Sequence, residues 1–417
     1  MMSGRDRISQ LPIEILDNIL GFLPIVEAAR TAVLSTIWRD CWSSLTQLNF
    51  DDKFFAYVGE KYSGSYNRTS TCMYVINKVL MRHHGPIRKF ALVFDCDSPI
   101  MSDTHGSRKF DFDQWFLFIT QKGVEEMNFT FRTEFGPNRC FGLPNCILSC
   151  STLKRLDLCG VIFPPTINAP FVFLNVTSLS FDVVIFSAIN MNCVIDVPML
   201  ETLSFNNCVN TSYFNIKAPR LGSLTLQYYC IDDDIDDYVP ILPVSLDLSF
   251  IHTLCLDFNF KPFKLFASEL TRWGPELNVE CVELYDVNVL YDDDFSSFIH
   301  SLLICPKLRK LDITYLYFYA EISRSILWEE LQSAAKVLKM LHTFKLRSFN
   351  GSRFELQFIE VLLACFPALE KVVIIRQMEF DSNEEFKIMQ KFFHFLLVHQ
   401  RKQKLFTYKH LIIFLLN

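Results

Sequence analysis

The chain of 417 residues is 50% hydrophobic, 14% aromatic and 21% charged, with a formal net charge of −6; it is rich enough in apolar residues to bury a large core, which excludes disorder as its main state. The acidic balance provides no basic field to attract phosphates, so nucleic acid is not expected as a partner. The positive mean hydropathy of +0.20 comes from short apolar stretches, none near the roughly 18 uninterrupted apolar residues of a spanning helix, so no membrane partner is expected either.

The segment Met1 to Leu11 contains Arg5, Asp6 and Arg7 but no apolar core of a secretory signal. An intracellular location, nucleus or cytoplasm, is therefore expected, with the 14 cysteines as reduced, mostly buried side chains. Pro12 opens a short helix in which Ile15, Leu16, Ile19, Leu20 and Leu23 recur at helical spacing. Pro24 stops it, Val26, Ala29, Arg30 and Val33 form a second stripe, and Ser35 is placed to cap a third helix carrying Trp38, Cys41 and Trp42. So small a unit cannot bury all this apolar surface alone.

The order Leu11-Pro12, Ile15-Leu16, Ile19-Leu20, Phe22-Leu23-Pro24, Arg30, Leu34-Ser35, Trp38-Arg39 and Trp42 closely resembles the plant F-box pattern from Asp6 to about Leu45. The resemblance implies a helical module that binds the Skp-type adaptor of an SCF cullin-RING ligase, and through it the cullin. Leu11, Pro12, Ile15, Leu16, Ile19, Leu20, Leu23, Pro24 and Trp38 are the residues expected at that interface.

Further along, apolar residues recur at positions one, four and six of a repeating unit. Ile87-Phe90-Leu92, Val124-Met127-Phe129, Leu153-Leu156-Leu158 and Val176-Leu179-Phe181 are followed by Leu200-Leu203-Phe205, Leu221-Leu224-Leu226 and Ile251-Leu254-Leu256. Val279-Val282-Leu284, Leu308-Leu311-Ile313, Leu341-Phe344-Leu346 and Leu369-Val372-Ile374 complete the series. The mean spacing is about 28 residues, inside the range of leucine-rich repeats. Pro198, Pro219, Pro306 and Pro367 each stand two residues before the first apolar position, where a proline ends a preceding helix without removing a strand hydrogen bond. Cys208 and Asn259 occupy the ninth position, which bonds to loop backbone as the chain leaves its strand. The matching Leu148-x-Cys150 and Leu303-x-Cys305 segments place two cysteines in the core at helix ends.

Gly351, Phe354-Glu355-Leu356, Phe358-Ile359, Leu362-Leu363, Pro367, Leu369-Glu370-Lys371 and Ile374 resemble the FBD segment of plant F-box/FBD/leucine-rich-repeat proteins, and Leu143-Pro144 to Pro164-Pro165 resembles the central repeat of that family. The expected fold is α+β: a three-helix F-box followed by an irregular α/β leucine-rich-repeat solenoid, a horseshoe with its strands on the concave side. The expected divisions are the F-box at 1–50, a connecting helical segment at 51–85, the repeats at 86–340, the FBD segment at 341–395, and a tail at 396–417 with no structural role.

Enzyme motifs of the H-E-x-x-H, G-x-S-x-G, G-x-G-x-x-G and Walker types are absent from the sequence, so no catalytic residue, metal or cofactor is expected. His83-His84 and the acidic runs Asp232 to Asp237 and Asp292 to Asp294 are read as solvated surface. Strand alternation sends positions three, five and seven of each repeat to the open face. Asn206, Gln227, Asp257, Glu283, Tyr285, Lys310, Asp312, Lys345 and Arg347 are the residues expected to meet a target protein there, with Tyr285 and Arg347 as anchors. The family implies a substrate receptor for ubiquitylation. The alternative is a binding scaffold that uses the same adaptor without degrading what it holds, and target lifetime separates the two.

Overall fold

The computed structural model describes residues 7–62, 68–95, 107–132, 141–163, 171–186, 194–211, 215–227, 246–257, 276–289, 292–318, 322–366, 368–376, 390 and 415–416. Three short helices come first, α1 (Ile13–Gly21), α2 (Ile25–Thr31) and α3 (Thr36–Ser43). Pro12 and Pro24 are the N-caps of α1 and α2, where their missing N–H groups cost nothing and their carbonyls accept the first helical hydrogen bonds. Pro24 thus starts the second helix, the first having already ended at Gly21. Ser35 caps α3 as expected, its hydroxyl accepting from the Trp38 amide at 3.3 Å. Leu16, Leu20, Ala28, Trp38 and Cys41 fill the space between the helices.

The chain divides into two compact units. The first comprises Met1–Glu201, Asn207–Pro219 and Leu242–Leu246, the second Thr202–Asn206, Arg220–Ile241 and Asp247–Asn417.

In the first unit the repeat begins earlier than the triplet series suggests. Leu45, Leu48 and Phe50 take positions one, four and six and are all buried, and strand Gln47–Phe50 pairs in parallel with Lys89–Asp95, Leu48 opposite Phe90. Strands Glu126–Arg132, Arg155–Cys159 and Ser178–Asp182 follow, so that Phe90, Met127, Leu156 and Leu179 face one another across the ladder. Helices Asp52–Lys61, Arg68–Met81 and Ser107–Gln121 return the chain in the early repeats, and the rings of Phe112 and Phe116 lie 5.9 and 5.0 Å from that of Phe129. In later repeats short strands do the same work: Phe141–Gly142, Val161–Phe163 and Ile185–Phe186 form one small sheet, and Phe171–Val172, Val194–Asp196 and Asn215–Lys217 another. Gly160 is required where the chain turns between two strands: its φ is +69°, and an added Cβ would collide with the Phe131 carbonyl oxygen.

In the second unit strands Thr202–Asn206, Ser223–Gln227, Thr253–Asp257, Cys281–Tyr285, Lys310–Ile313, Thr343–Phe349 and Lys371–Arg376 run parallel. The fourth-position residues Leu203, Leu224, Leu254, Val282, Leu311, Phe344 and Val372 stand opposite one another in turn. Helices Asp292–Leu303, Arg324–Val337 and Arg353–Cys365 belong to the same unit. They cover the inward face, with Phe358 ring-to-ring against Phe344 at 6.0 Å and Phe295 at 6.2 Å.

Several local expectations change. Pro306 follows a helix, but Pro198 and Pro219 follow the short strands Val194–Asp196 and Asn215–Lys217, because these repeats return by strand. Asp292 to Asp294 is the first turn of a helix, with Asp294 buried, where the helix dipole favours negative charge. His83 is buried rather than solvated, and burial lowers its pKa. Cys150 and Cys305 are buried just past their helices, and the Cys208 thiol donates to the Phe181 carbonyl at 3.3 Å, a backbone bond as expected of the ninth position, but to the strand Ser178–Asp182 rather than to a loop. Leu415–Leu416 pairs with Ile374 and Ile375, a strand where the sequence suggested no structure. Asn259, Pro367, Asp232 to Asp237 and the rest of the tail lie outside the described residues.

Candidate interaction surfaces

On α1, side chains four residues apart share a face. Leu11, Ile15, Ile19 and Leu23 lie on the outward stripe and are exposed together with Pro12 and Pro24, whereas Leu16 and Leu20 point into the helical core. Trp38 is also internal, its indole N–H donating to the Ser9 hydroxyl at 2.9 Å. Leu16, Leu20 and Trp38 therefore build the module and do not present their side chains to a partner, a correction to the sequence expectation. The exposed surface gains residues that the sequence did not place at the interface, Phe22 at 89% and Val33 at 86% exposure, with Ile13, Leu34 and Ile37 also exposed. Phe22 is the C-cap of α1, and Val33 and Leu34 occupy the turn before the Ser35 cap. An apolar pair in a turn was the available signal. Arg30 on α2 donates to Glu27 at 2.6 Å and lies 5.2 Å from the centre of the Tyr57 ring, linking α2 to helix Asp52–Lys61.

This helical module is joined firmly to the first strand. Asp17 on α1 accepts from the Thr46 amide at 2.8 Å and from the Thr46 hydroxyl. The amides of His84 and Arg88 donate to the carbonyls of Ser43 and Thr46, each at 2.8 Å. Gly85 allows this approach, since a Cβ there would lie 2.7 Å from the Ser44 carbonyl oxygen. A groove of about 300 Å3 lies beside the joint, lined by Leu23, Ile25, Asn49, Lys89, Glu126 and Asp157 among others. Its charges cancel in pairs: Lys89 to Glu126 at 3.0 Å, Arg155 to Asp157 at 2.9 Å.

The second surface is the sheet face of the second unit opposite its helices. Asn206, Gln227, Asp257 and Tyr285 stand side by side at the seventh position of successive strands, and Glu283, Asp312 and Lys345 at the fifth. The structure thus brings the predicted residues into adjoining rows. Asp257 and Asp312 nevertheless are buried, at 3% exposure each; over Asp312 the long side chains of Lys310, Lys345 and Arg347 close. Arg347 grips Asp312 with two parallel hydrogen bonds, Nε and Nη2 each 3.1 Å from a carboxylate oxygen. Lys310 and Lys345 each bring Nζ to 3.7 Å from the same carboxylate. Lys310 also donates to Glu283 at 3.0 Å. The hydrogen bond from Arg347 to Asp312 raises the Arg347 pKa. For Lys310, burial works against the charge, but the Glu283 hydrogen bond and the nearby carboxylates outweigh it and its pKa is raised. Burial raises the Tyr285 pKa, keeping the phenol protonated beside Arg347. Cys255, between Thr225 and Glu283 on this face, is pushed up to about 12 by burial first and by Glu283 second. Such a thiol stays protonated and carries no nucleophilic chemistry. Hydrogen bonding, charge pairing and an aromatic side chain are what this face offers a ligand.

Comparison with known proteins matches the F-box domain model to residues 8–48 and the model described as FBD-associated F-box protein At5g56370, LRR repeats, to residues 112–242. The F-box/FBD/LRR-repeat protein At1g13570 of Arabidopsis thaliana is 26% identical over an alignment covering 97% of this chain and 99% of that protein. The F-box/LRR-repeat protein At3g03360 of the same plant is 24% identical, covering 88% and 70%. Among solved structures, the Leptospira interrogans LRR protein LIC12759 overlaps 76% of this chain and 96% of its own, at 11% identity and a TM-score of 0.20, a likeness on which no argument rests.

Proposed function

We propose, from the premise that this chain belongs to the F-box/FBD/leucine-rich-repeat proteins, that it is the target-binding subunit of an SCF-type cullin-RING ubiquitin ligase. The observation that carries the reading is the exposed apolar face of α1 and the turns beside it, from Leu11 and Pro12 through Ile15, Ile19 and Phe22 to Val33 and Leu34. A contiguous apolar surface on a folded helical module is a docking site awaiting a partner, and the F-box match supports a Skp-type adaptor as that partner, with the cullin beyond it.

The outer sheet face of the second unit then holds the target protein. Ubiquitin transfer becomes effectively intramolecular, because adaptor and target are held on one chain. The chemistry belongs to other subunits, and the complex works in the nucleus or cytoplasm, where that machinery resides.

The test is co-purification. Replacing Leu11 and Pro12 by Ala in a chain that still melts cooperatively is expected to remove at least about 2 kcal/mol of adaptor binding, the scale of interface anchors. Undiminished binding by the folded double variant sinks the assignment. Target lifetime in cells with and without the chain distinguishes a ligase subunit from a scaffold, since a scaffold leaves lifetime unchanged.

A further inference from the structure

We propose that the target segment seated on the outer sheet face of the second unit is an acidic peptide, one carboxylate of which is taken by Lys345 and the outer edge of Arg347. The inference rests on the target-capture reading of that face and states what chemistry the target must bring.

The cluster is asymmetric in charge. Three cations, Lys310, Lys345 and Arg347, converge on two carboxylates, Asp312 and Glu283, a surplus of one positive charge within this ion-paired cluster; Asp257, the third carboxylate of the face, is buried two strands from Asp312 and outside these pairs. The groove beside the helical module, by contrast, pairs its charges one to one. Donors are in surplus as well. Arg347 spends Nε and Nη2 on Asp312, which fixes the guanidinium plane and leaves Nη1 at its rim. Among the described residues Lys345 has the Asp312 carboxylate as its one charge partner, at 3.7 Å, beyond hydrogen-bond reach. Its side chain is 23% exposed, so an ammonium drawn partly out of water holds donors that an incoming acceptor can fill. Asp312 at 3% exposure serves as the internal counter-ion that keeps the cations converged while the ligand is absent.

A single surplus charge matches a carboxylate better than a dianionic phosphate. The bidentate edge of Arg347 that suits phosphate is already occupied, and lysine acts as a point charge. Tyr285 stands two strands from Lys345 and Arg347 on the same face, beyond the strand of Asp312 and opposite Asp257, and its ring provides an apolar wall for the stem of the acidic side chain.

The experiment uses the full chain bound to its adaptor and follows the fluorescence anisotropy of a glutamate-rich peptide against its glutamine, lysine and phosphoserine counterparts. The glutamate peptide is expected to bind and to weaken as salt is raised. Lys345→Gln should weaken it by about tenfold, the scale of a lost charge-assisted contact. Glu283→Gln, which enlarges the surplus, should tighten it by about threefold. A gain in affinity cannot come from misfolding, so the second variant keeps the test decisive if the first is unstable. Equal binding of the glutamine peptide, indifference to both variants, or a phosphoserine peptide that outcompetes glutamate would each overturn the proposal. Adaptor retention is read in the same samples: its loss in the unaltered chain counts against the ligase reading, while the peptide series still decides the charge reading.

Discussion

Asp312 is a carboxylate taken almost wholly out of water and held by one guanidinium and two ammonium groups. Those partners replace the hydration it lacks, and removing it would leave three cations crowded together without their common counter-ion. Asp312→Ala is therefore expected to lower unfolding stability by about 3 kcal/mol in a urea titration. Glu283→Gln, which touches a more exposed pair, should stay within about 1 kcal/mol. Equal effects would mean that Asp312 is no keystone. Alternation along the strand sufficed to put Asp312 on the outer face and opposite Lys345, but not to show that the Arg347 fork would reach it diagonally and bury it. The α1 stripe has the same lesson. Apolar residues at 11, 15, 16, 19, 20 and 23 read as one face, and only the packing of α2 and α3 against Leu16 and Leu20 divides them into core and exposed surface.

At the scale of elements, the apolar triplet is legible because each repeat needs the same three inward residues, and the observed ladder pairs fourth position with fourth position throughout the second unit. The return segments are not legible in this way, since helix or short strand can cover the same inward face, and the prolines at 198 and 219 punctuate either. Helix Arg353–Cys365 shows how a cap can carry titration. Its capping box joins Ser352 to Glu355, whose carboxylate accepts from the amides of Ser352 at 3.0 Å and Asn350 at 3.2 Å. Burial nonetheless pushes the Glu355 pKa up from 4.5 to about 7, against those hydrogen bonds. A carboxyl whose folded pKa is raised binds its proton more tightly when folded, so its contribution is complete below about pH 4.5 and is lost as pH rises through 7. Urea midpoints should fall from pH 5 to pH 8 by the equivalent of about 2 kcal/mol, and Glu355→Gln should abolish that part of the slope. An unchanged slope in the variant would assign the pH dependence elsewhere.

For the molecule as a whole, the consequential feature is that the helical module has no clean boundary with the repeats. The family pattern ends near Leu45, yet Leu45, Leu48 and Phe50 are the inward residues of a first repeat and are buried. Phe50 meets the rings of Phe54 at 5.0 Å and Phe90 at 6.1 Å, and strand Gln47–Phe50 is completed by Lys89–Asp95. Sequence reading assigned residues 1–50 to the module and began the repeats after residue 85, because the recognisable F-box residues mask a triplet that serves both. A fragment of residues 1–50 would expose three large apolar side chains and the unpaired edge of Gln47–Phe50. It is therefore expected to aggregate or to melt without a cooperative transition, whereas the full chain melts cooperatively. Circular dichroism and size-exclusion chromatography on the two proteins decide the point. A monomeric fragment with a sharp transition would show that the module folds alone and that the first strand is an accessory to it.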